Sequence, residues 1–169
     1  MNKYQHRINE LGGRFVYENV GELPVELSEE ELQSVEAALG HPLPPDYREF
    51  LRDFGGYWFY GISYPLRRTS PYVPEGYLGS FYGLRIGPTL DILARHEDDL
   101  ASQVIGPEML PIARDAADNQ ICLFLSGPQK GSVHFWYAEG ASSPFNYGNL
   151  YQVADSFDDF MQLIKKVSD

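Results

Sequence analysis

The side chains here that could do chemistry are four histidines, one cysteine and an excess of carboxylates, 24 Asp and Glu against 13 Lys and Arg. None stands in the pattern that a reaction needs. His6, His41, His96 and His134 are dispersed along the chain. His96-Glu97 opens like the helix of a zinc peptidase, but Leu100 occupies the place of the second histidine ligand. Asp115 and Asp118 lie at i, i+3, whereas a calcium loop spaces its first ligands two apart and closes on a glutamate, so the pair reads as a turn. Gly76, Gly79, Gly83 and Gly87 recur without the Gly-Lys-Ser/Thr that cradles phosphate and read as turn or close-packing glycines. No G-x-S-x-G elbow is present. A nucleophilic cysteine needs a polar, positive setting. Cys122 stands among Ile121, Leu123, Phe124 and Leu125 and reads as a buried strand residue. Carboxylate pairs can do acid–base work, yet any acidic chain contains many by composition. The expectation is a protein with no catalytic residues, no metal site and no cofactor.

What these residues can do is bind. A net charge of −11 argues against nucleic acid, whose affinity comes mainly from Lys and Arg on phosphate. It argues equally against anionic membranes. A basic or neutral protein partner remains, and so does solubility alone. Placement favours a partner. Between Arg14 and Arg48 there is no Lys or Arg, and the interval holds Glu18, Glu22, Glu26, Glu29, Glu30, Glu31, Glu36 and Asp46. Over residues 115–159 Lys130 is the only cation among Asp115, Asp118, Glu139, Asp155, Asp158 and Asp159. The arginines and lysines sit elsewhere in the sequence, at Arg48, Arg52, Arg67, Arg68, Arg85, Arg95 and Lys165-Lys166. A one-sign surface steers an opposite partner. Part of the first cluster has a local role, because acids in a first helical turn offset the helix dipole. The expected steering residues are Glu29, Glu30, Glu36, Asp115 and Asp118. Aromatic anchors come from the ring-rich stretch over residues 57–82, with Trp58 and Tyr60 the expected contacts. The competing reading is that most of its rings pack over a sheet.

These residues must be held by local elements. Ser28 and Glu31 form a capping box, flanked by Leu27 and Leu32 as a hydrophobic staple. Leu32, Val35 and Leu39 carry the helix to Gly40, so a helix is expected over residues 28–39. Pro44-Pro45 starts a second over 45–54, with Tyr47, Phe50, Leu51 and Phe54 on one face. A third is expected over 89–100, with Leu90, Leu93 and Ala94 inward. A last one follows a cap at Asp155 or Ser156, with Phe157, Phe160, Met161 and Ile164 inward. Strands are expected over 109–114, 120–125, 132–137 and 150–153, with shorter ones over 14–20 and 81–84. Prolines at 65, 71 and 74 favour a loop or an edge for the aromatic stretch. Residues 1–26 read as an irregular N-terminal segment. Terminal helices with turn-linked strands between them give an α+β fold, mainly antiparallel, in one domain. A single cysteine fits a reducing compartment, the start MNKYQHRINE lacks the apolar core of a signal peptide, and no apolar run would span a membrane. A cytoplasmic protein is expected.

Residues 27–56 also carry a family likeness. Glu36, Leu39, Gly40, Leu43, Pro44, Asp46, Tyr47, Phe50, Leu51, Gly55 and Gly56 resemble the opening signature of the SUKH superfamily. That superfamily includes bacterial immunity proteins and fungal regulators of cell-wall assembly. Leu110-Pro111-Ile112-Ala113 with Asp115, Asn119 and Ile121-Cys122-Leu123 is similar to a later strand pair of the family. Residues 131–137 and the helix of Ser156, Phe157 and Phe160 extend the likeness to about Lys166. One departure is Ala116-Ala117, where the family often has glycines in the turn. The resemblance implies helices around a curved, mostly antiparallel sheet over a SUKH-like domain at 27–169. It also implies a non-catalytic immunity protein that neutralises a basic toxin domain, such as a nuclease, by forming a tight complex. The alternative it implies is an adapter for an endogenous partner.

Overall fold

A computed structural model describes residues 2–15 and 26–168. Among the described residues, five α-helices pack around one open, eight-stranded antiparallel sheet. The strands are β1 (Arg14–Phe15), β2 (Tyr57–Pro65), β3 (Glu75–Phe81), β4 (Met109–Arg114), β5 (Gln120–Phe124), β6 (Val133–Trp136), β7 (Leu150–Ala154) and β8 (Lys165–Lys166). They lie side by side in chain order from β1 to β7, and β8 pairs with β2. The helices are α1 (Gln5–Leu11), α2 (Glu29–Leu39), α3 (Pro45–Phe54), α4 (Ile92–Ala101) and α5 (Phe157–Leu163).

The local signals hold at α2 and α3. Ser28 and Glu31 close both halves of the capping box, and Gly40 ends α2 in the left-handed conformation. Pro45 starts α3, and Tyr47, Phe50, Leu51 and Phe54 are buried. Phe50 is a hub of the core: its ring centroid lies 4.6 Å from that of Phe81 and 4.8 Å from that of Phe157. Ser156 caps α5 by accepting from the Asp159 N–H.

Five expectations change, the first being the strand expected over 81–84, of which only Phe81 is strand, at the end of β3. The irregular N-terminal segment contains α1, whose Tyr4, Ile8 and Leu11 enter the main core. The Arg7 guanidinium ties α1 to the end of α5 through the carbonyls of Met161 and Ile164. The strand expected over 14–20 is β1 at residues 14–15, and its remainder lies outside the described residues. The aromatic stretch is a hairpin rather than a loop. Pro65 is the last residue of β2, and Pro71 and Pro74 fall in the connection, so no proline interrupts the β2–β3 ladder. The helix expected over 89–100 is α4 from Ile92, capped by Asp91, and Ala94 is exposed. Its inner side is Ile92, His96 and Asp99.

The sheet is strongly curved. The N–H of Arg67, two residues beyond the end of β2, donates to the carbonyl of Gln152 on β7 at 2.9 Å. In a flat sheet those strands, five places apart, would stand roughly 24 Å from each other. Two residues reach at most about 7 Å. The outer half of the β2–β3 hairpin is free to fold over because β3 pairs with β4 only at Ser80 and Phe81. A second apolar cluster, with Ile105, Met109, Cys122, Phe124 and Trp136, covers the other face of the central strands. That cover explains why β5 and β6 are buried at every position.

Candidate partner-binding site

The β2–β3 ladder slips between Trp58↔Ser80 and Ile62↔Leu78, so β2 bulges outward. Gly61, with φ 63°, supplies the left-handed conformation the bulge requires. The bulge lifts Tyr60 into solvent at 88% exposure, beside Trp58 at 36%. Opposite, Gly79 lets the neighbouring chain close in: a Cβ there would lie 2.9 Å from the Arg114 carbonyl oxygen. The result is a groove of about 320 Å³ lined by Trp58, Phe59, Ser80, Arg114, Asp115 and Asp118 among others.

The rim is a fixed turn. Asp115 Oδ1 accepts from the N–H groups of Ala117 and Asn119 at 2.8 and 3.0 Å, and Oδ2 accepts from Asn119 Nδ2 at 2.8 Å. The Asp115 N–H in turn donates to the Asn119 carbonyl at 3.1 Å. Asp118 takes the left-handed conformation at φ 61°, the role a glycine would otherwise fill, so Ala116-Ala117 need not. The carboxylate of Asp118 accepts from Gln120 Nε2 at 3.1 Å and pairs with Arg95 at 3.3 Å. The groove therefore gathers Trp58, Asp115 and Asp118, with Tyr60 two residues from Trp58 on the same bulge.

Its charge is mixed. Arg114 lines it, and the Arg14 guanidinium stands 6.0 Å from the centroid of the Trp58 ring. Sequence reasoning missed Arg114, Gly79 and Ser80, because strand pairing alone brings them beside Trp58.

The α2 acids are not among the residues lining this groove, and Glu29, Glu31 and Glu36 are paired. The elbow folds α3 back along α2, and Arg48 and Arg52, distant from the acidic run in sequence, lie against it. Arg48 grips Glu29 with both guanidinium arms at 2.7 and 3.0 Å and donates from Nε to Glu36 at 3.1 Å. Glu36 also accepts from the Leu43 N–H at 2.9 Å. The hydrogen-bonded Arg48 guanidinium holds the Glu29 carboxyl below its usual range. Arg52 approaches Glu29 at 3.6 Å and Glu26 at 3.8 Å, and Arg85 pairs with Glu31 at 3.3 Å. Glu30 is exposed and has no ion-pair partner among the described residues. Glu18 and Glu22 lie outside the described residues.

The remaining rings divide. Tyr72 and Tyr77 are exposed at 68% and 46%. Tyr64 and Tyr82 are buried, Tyr64 edge-on to Phe160 and Tyr82 donating to Gln120 Oε1 at 2.6 Å. Cys122 is fully buried, and burial pushes its thiol well up, so it is a poor thiolate source. No helix among the described residues is long and apolar enough to cross a membrane.

Known proteins bear on this arrangement. The SPbeta prophage-derived uncharacterized protein YokK of Bacillus subtilis (strain 168) is 27% identical over 157 residues, covering 85% of this chain and 77% of that protein. Residues 26–163, which hold the capping-box helix, the proline elbow, the bulged hairpin and the Asp115 turn, match the SMI1/KNR4 family (SUKH-1), and the chain belongs to that family.

Proposed function

We propose that the protein is a non-catalytic binding domain of the cytoplasm that neutralises a cognate toxin by forming a tight complex with it. Membership of a family that includes immunity proteins supports this reading, as does likeness to a prophage-derived protein. The observation that carries it is a nearly fully exposed tyrosine raised on a glycine bulge beside a half-exposed tryptophan and a rigid acidic turn. Tyrosine and tryptophan rings bring large contact area at low side-chain entropy cost when a partner covers them. In this reading Trp58 and Tyr60 are the anchors, and Asp115 and Asp118 form the polar rim.

A net charge of −11 favours a basic partner and speeds its approach at low salt. A basic, phosphate-binding nuclease cleft is the proposed target. Glu30 is the proposed steering acid of α2 that has no paired cation among the described residues, while Glu29 and Glu36 act through a field that Arg48 already offsets.

The experiment is co-expression with the toxin encoded beside this gene. Growth should be rescued and a stoichiometric complex recovered. Tyr60→Ala should weaken that complex by roughly 30-fold or more, the loss typical of a central aromatic anchor. Absence of both rescue and complex would sink the proposal. Recovery of one stoichiometric housekeeping partner from toxin-free cells would favour the adapter instead.

A further inference from the structure

A second recess lies where the folded-over hairpin meets the far edge of the sheet. It encloses about 380 Å³, a size typical of small-molecule sites. Its walls include Arg67, Arg68, His134, Phe124, Tyr147 and Tyr151. Among the described residues no Asp or Glu lines it. In a chain of net charge −11, a pocket lined by two arginines, of which only Arg67 is offset by an adjacent carboxylate, leaves the charge of Arg68 to act on an anion.

The two arginines differ. Arg67 is anchored: its N–H holds the Gln152 carbonyl, and Nη1 pairs with Asp155 at 2.6 Å. Asp155 also accepts from Gln152 Nε2 at 3.1 Å, so the wall is braced from β7. Arg68 has no ion-pair partner among the described residues, and its guanidinium lies 5.7 Å from the centroid of the Tyr151 ring. A free guanidinium near an aromatic ring is a ready donor pair for an anion.

The other walls are mostly rings, with Leu150, Gln129 and Gln152 between them. The imidazole of His134 sits 4.6 Å from the Phe124 ring, with Nδ1 3.5 Å from Ser132 Oγ. Tyr147 gives its hydroxyl to Glu108 at 2.6 Å and holds φ at 63°, a conformation rare outside glycine, asparagine and aspartate. Burial, and then the charge of Arg67, push the His134 imidazole down to about 4, as a positive, partly desolvated pocket should.

We propose that this recess binds a small aromatic anion, a flat ring bearing a carboxylate or an equivalent acidic group, with the acid on Arg68 and the ring among Phe124, Tyr147 and Tyr151. The site is distinct from the Trp58 groove and requires nothing of the toxin reading.

The test uses the whole protein and three probes: 1-naphthoate, its neutral isostere 1-naphthylmethanol, and inorganic phosphate. Calorimetry or ligand-observed NMR should show one saturable site for naphthoate, with a Kd of ~0.1 to ~1 mM. The neutral isostere should bind about tenfold more weakly or worse, and phosphate alone more weakly still, because neither half suffices. Arg68→Ala should lower naphthoate affinity about tenfold or more, the worth of a charged hydrogen bond. Arg68→Gln, which keeps bulk and a donor, should fall between. Trp58→Ala should leave it unchanged. The proposal is overturned if naphthoate fails to saturate by about 10 mM, if the neutral isostere binds equally well, or if folded Arg68→Ala binds within twofold of the parent.

Discussion

Arg48→Ala tests how the α2–α3 elbow is held. The Arg48 and Glu36 side chains are each only 19% exposed, while Glu29 is 57% exposed. Truncation would leave the enclosed Glu36 carboxylate with the Leu43 N–H as its one remaining hydrogen-bond donor among the described residues. A lost charged hydrogen bond at a mostly enclosed carboxylate costs about 2 kcal/mol. The Glu29 half of the contact is solvent-exposed and contributes little beyond it. For a chain of this size about 2 kcal/mol lowers Tm by roughly 4–8 °C. Chemical and thermal denaturation of Arg48→Ala, Glu36→Gln and the double variant would show it. The double should be less destabilised than the sum of the singles, because no charge is left enclosed without its partner. Glu29→Gln should be close to neutral. A loss below about 0.5 kcal/mol for Arg48→Ala, or a Glu29→Gln loss as large, would refute the idea that enclosure at Glu36 makes this bridge matter.

His134 gives a pH dependence with a defined sign. Its folded pKa of about 4 lies below the ordinary 6.5, so the unfolded chain binds more protons between those values. The contribution is whole above pH 6.5 and is lost as pH falls toward 4, by about 2–3 kcal/mol. His134→Gln should flatten that part of a stability–pH curve, and an unchanged slope would count against the buried neutral imidazole. Gly83→Ala should destabilise by about 2 kcal/mol or more, since its Cβ would meet the Gly55 backbone at 2.6 Å, and backbone cannot rotate away. A Gly83→Ala protein with the parent Tm would disprove that approach. Tyr60→Ala, at a side chain 88% exposed, should leave Tm within about 2 °C while weakening the complex, which separates binding from folding.

Much of the fold was legible where one signal was dense and local. The capping box at Ser28, the paired prolines before α3 and the Asp115–Asn119 turn each act within a few residues, and each forms as its chemistry demands. Helix α1 has only a weak local signal, Tyr4, Ile8 and Leu11 at i, i+4, i+7 with Gly12 behind them. Seven residues without a side-chain cap give little periodicity to read. The hairpin was hidden differently. Proline density spoke against strands, yet β2 keeps its only proline at its last position.

The site was legible as residue types and not as a place. Trp58 and Asp118 look unrelated in the chain, and only the β2–β3–β4 pairing, with Gly79 allowing close approach, sets them around one groove. The charge pattern misled for the same reason. A run without Lys or Arg looks like a bare acidic face, but Arg48 and Arg52 arrive from the next helix once the elbow closes.

By itself, then, the sequence determined the helices with strong caps, the turn-linked central strands, the α+β class and the acidic balance, because capping, periodicity and net charge are local or additive. Tertiary structure alone decided which carboxylates remain uncompensated, which tyrosines face water, and where two arginines meet aromatic rings. Those outcomes depend on distances between segments far apart in the chain, and such distances are set by sheet curvature and register rather than by any residue's neighbours.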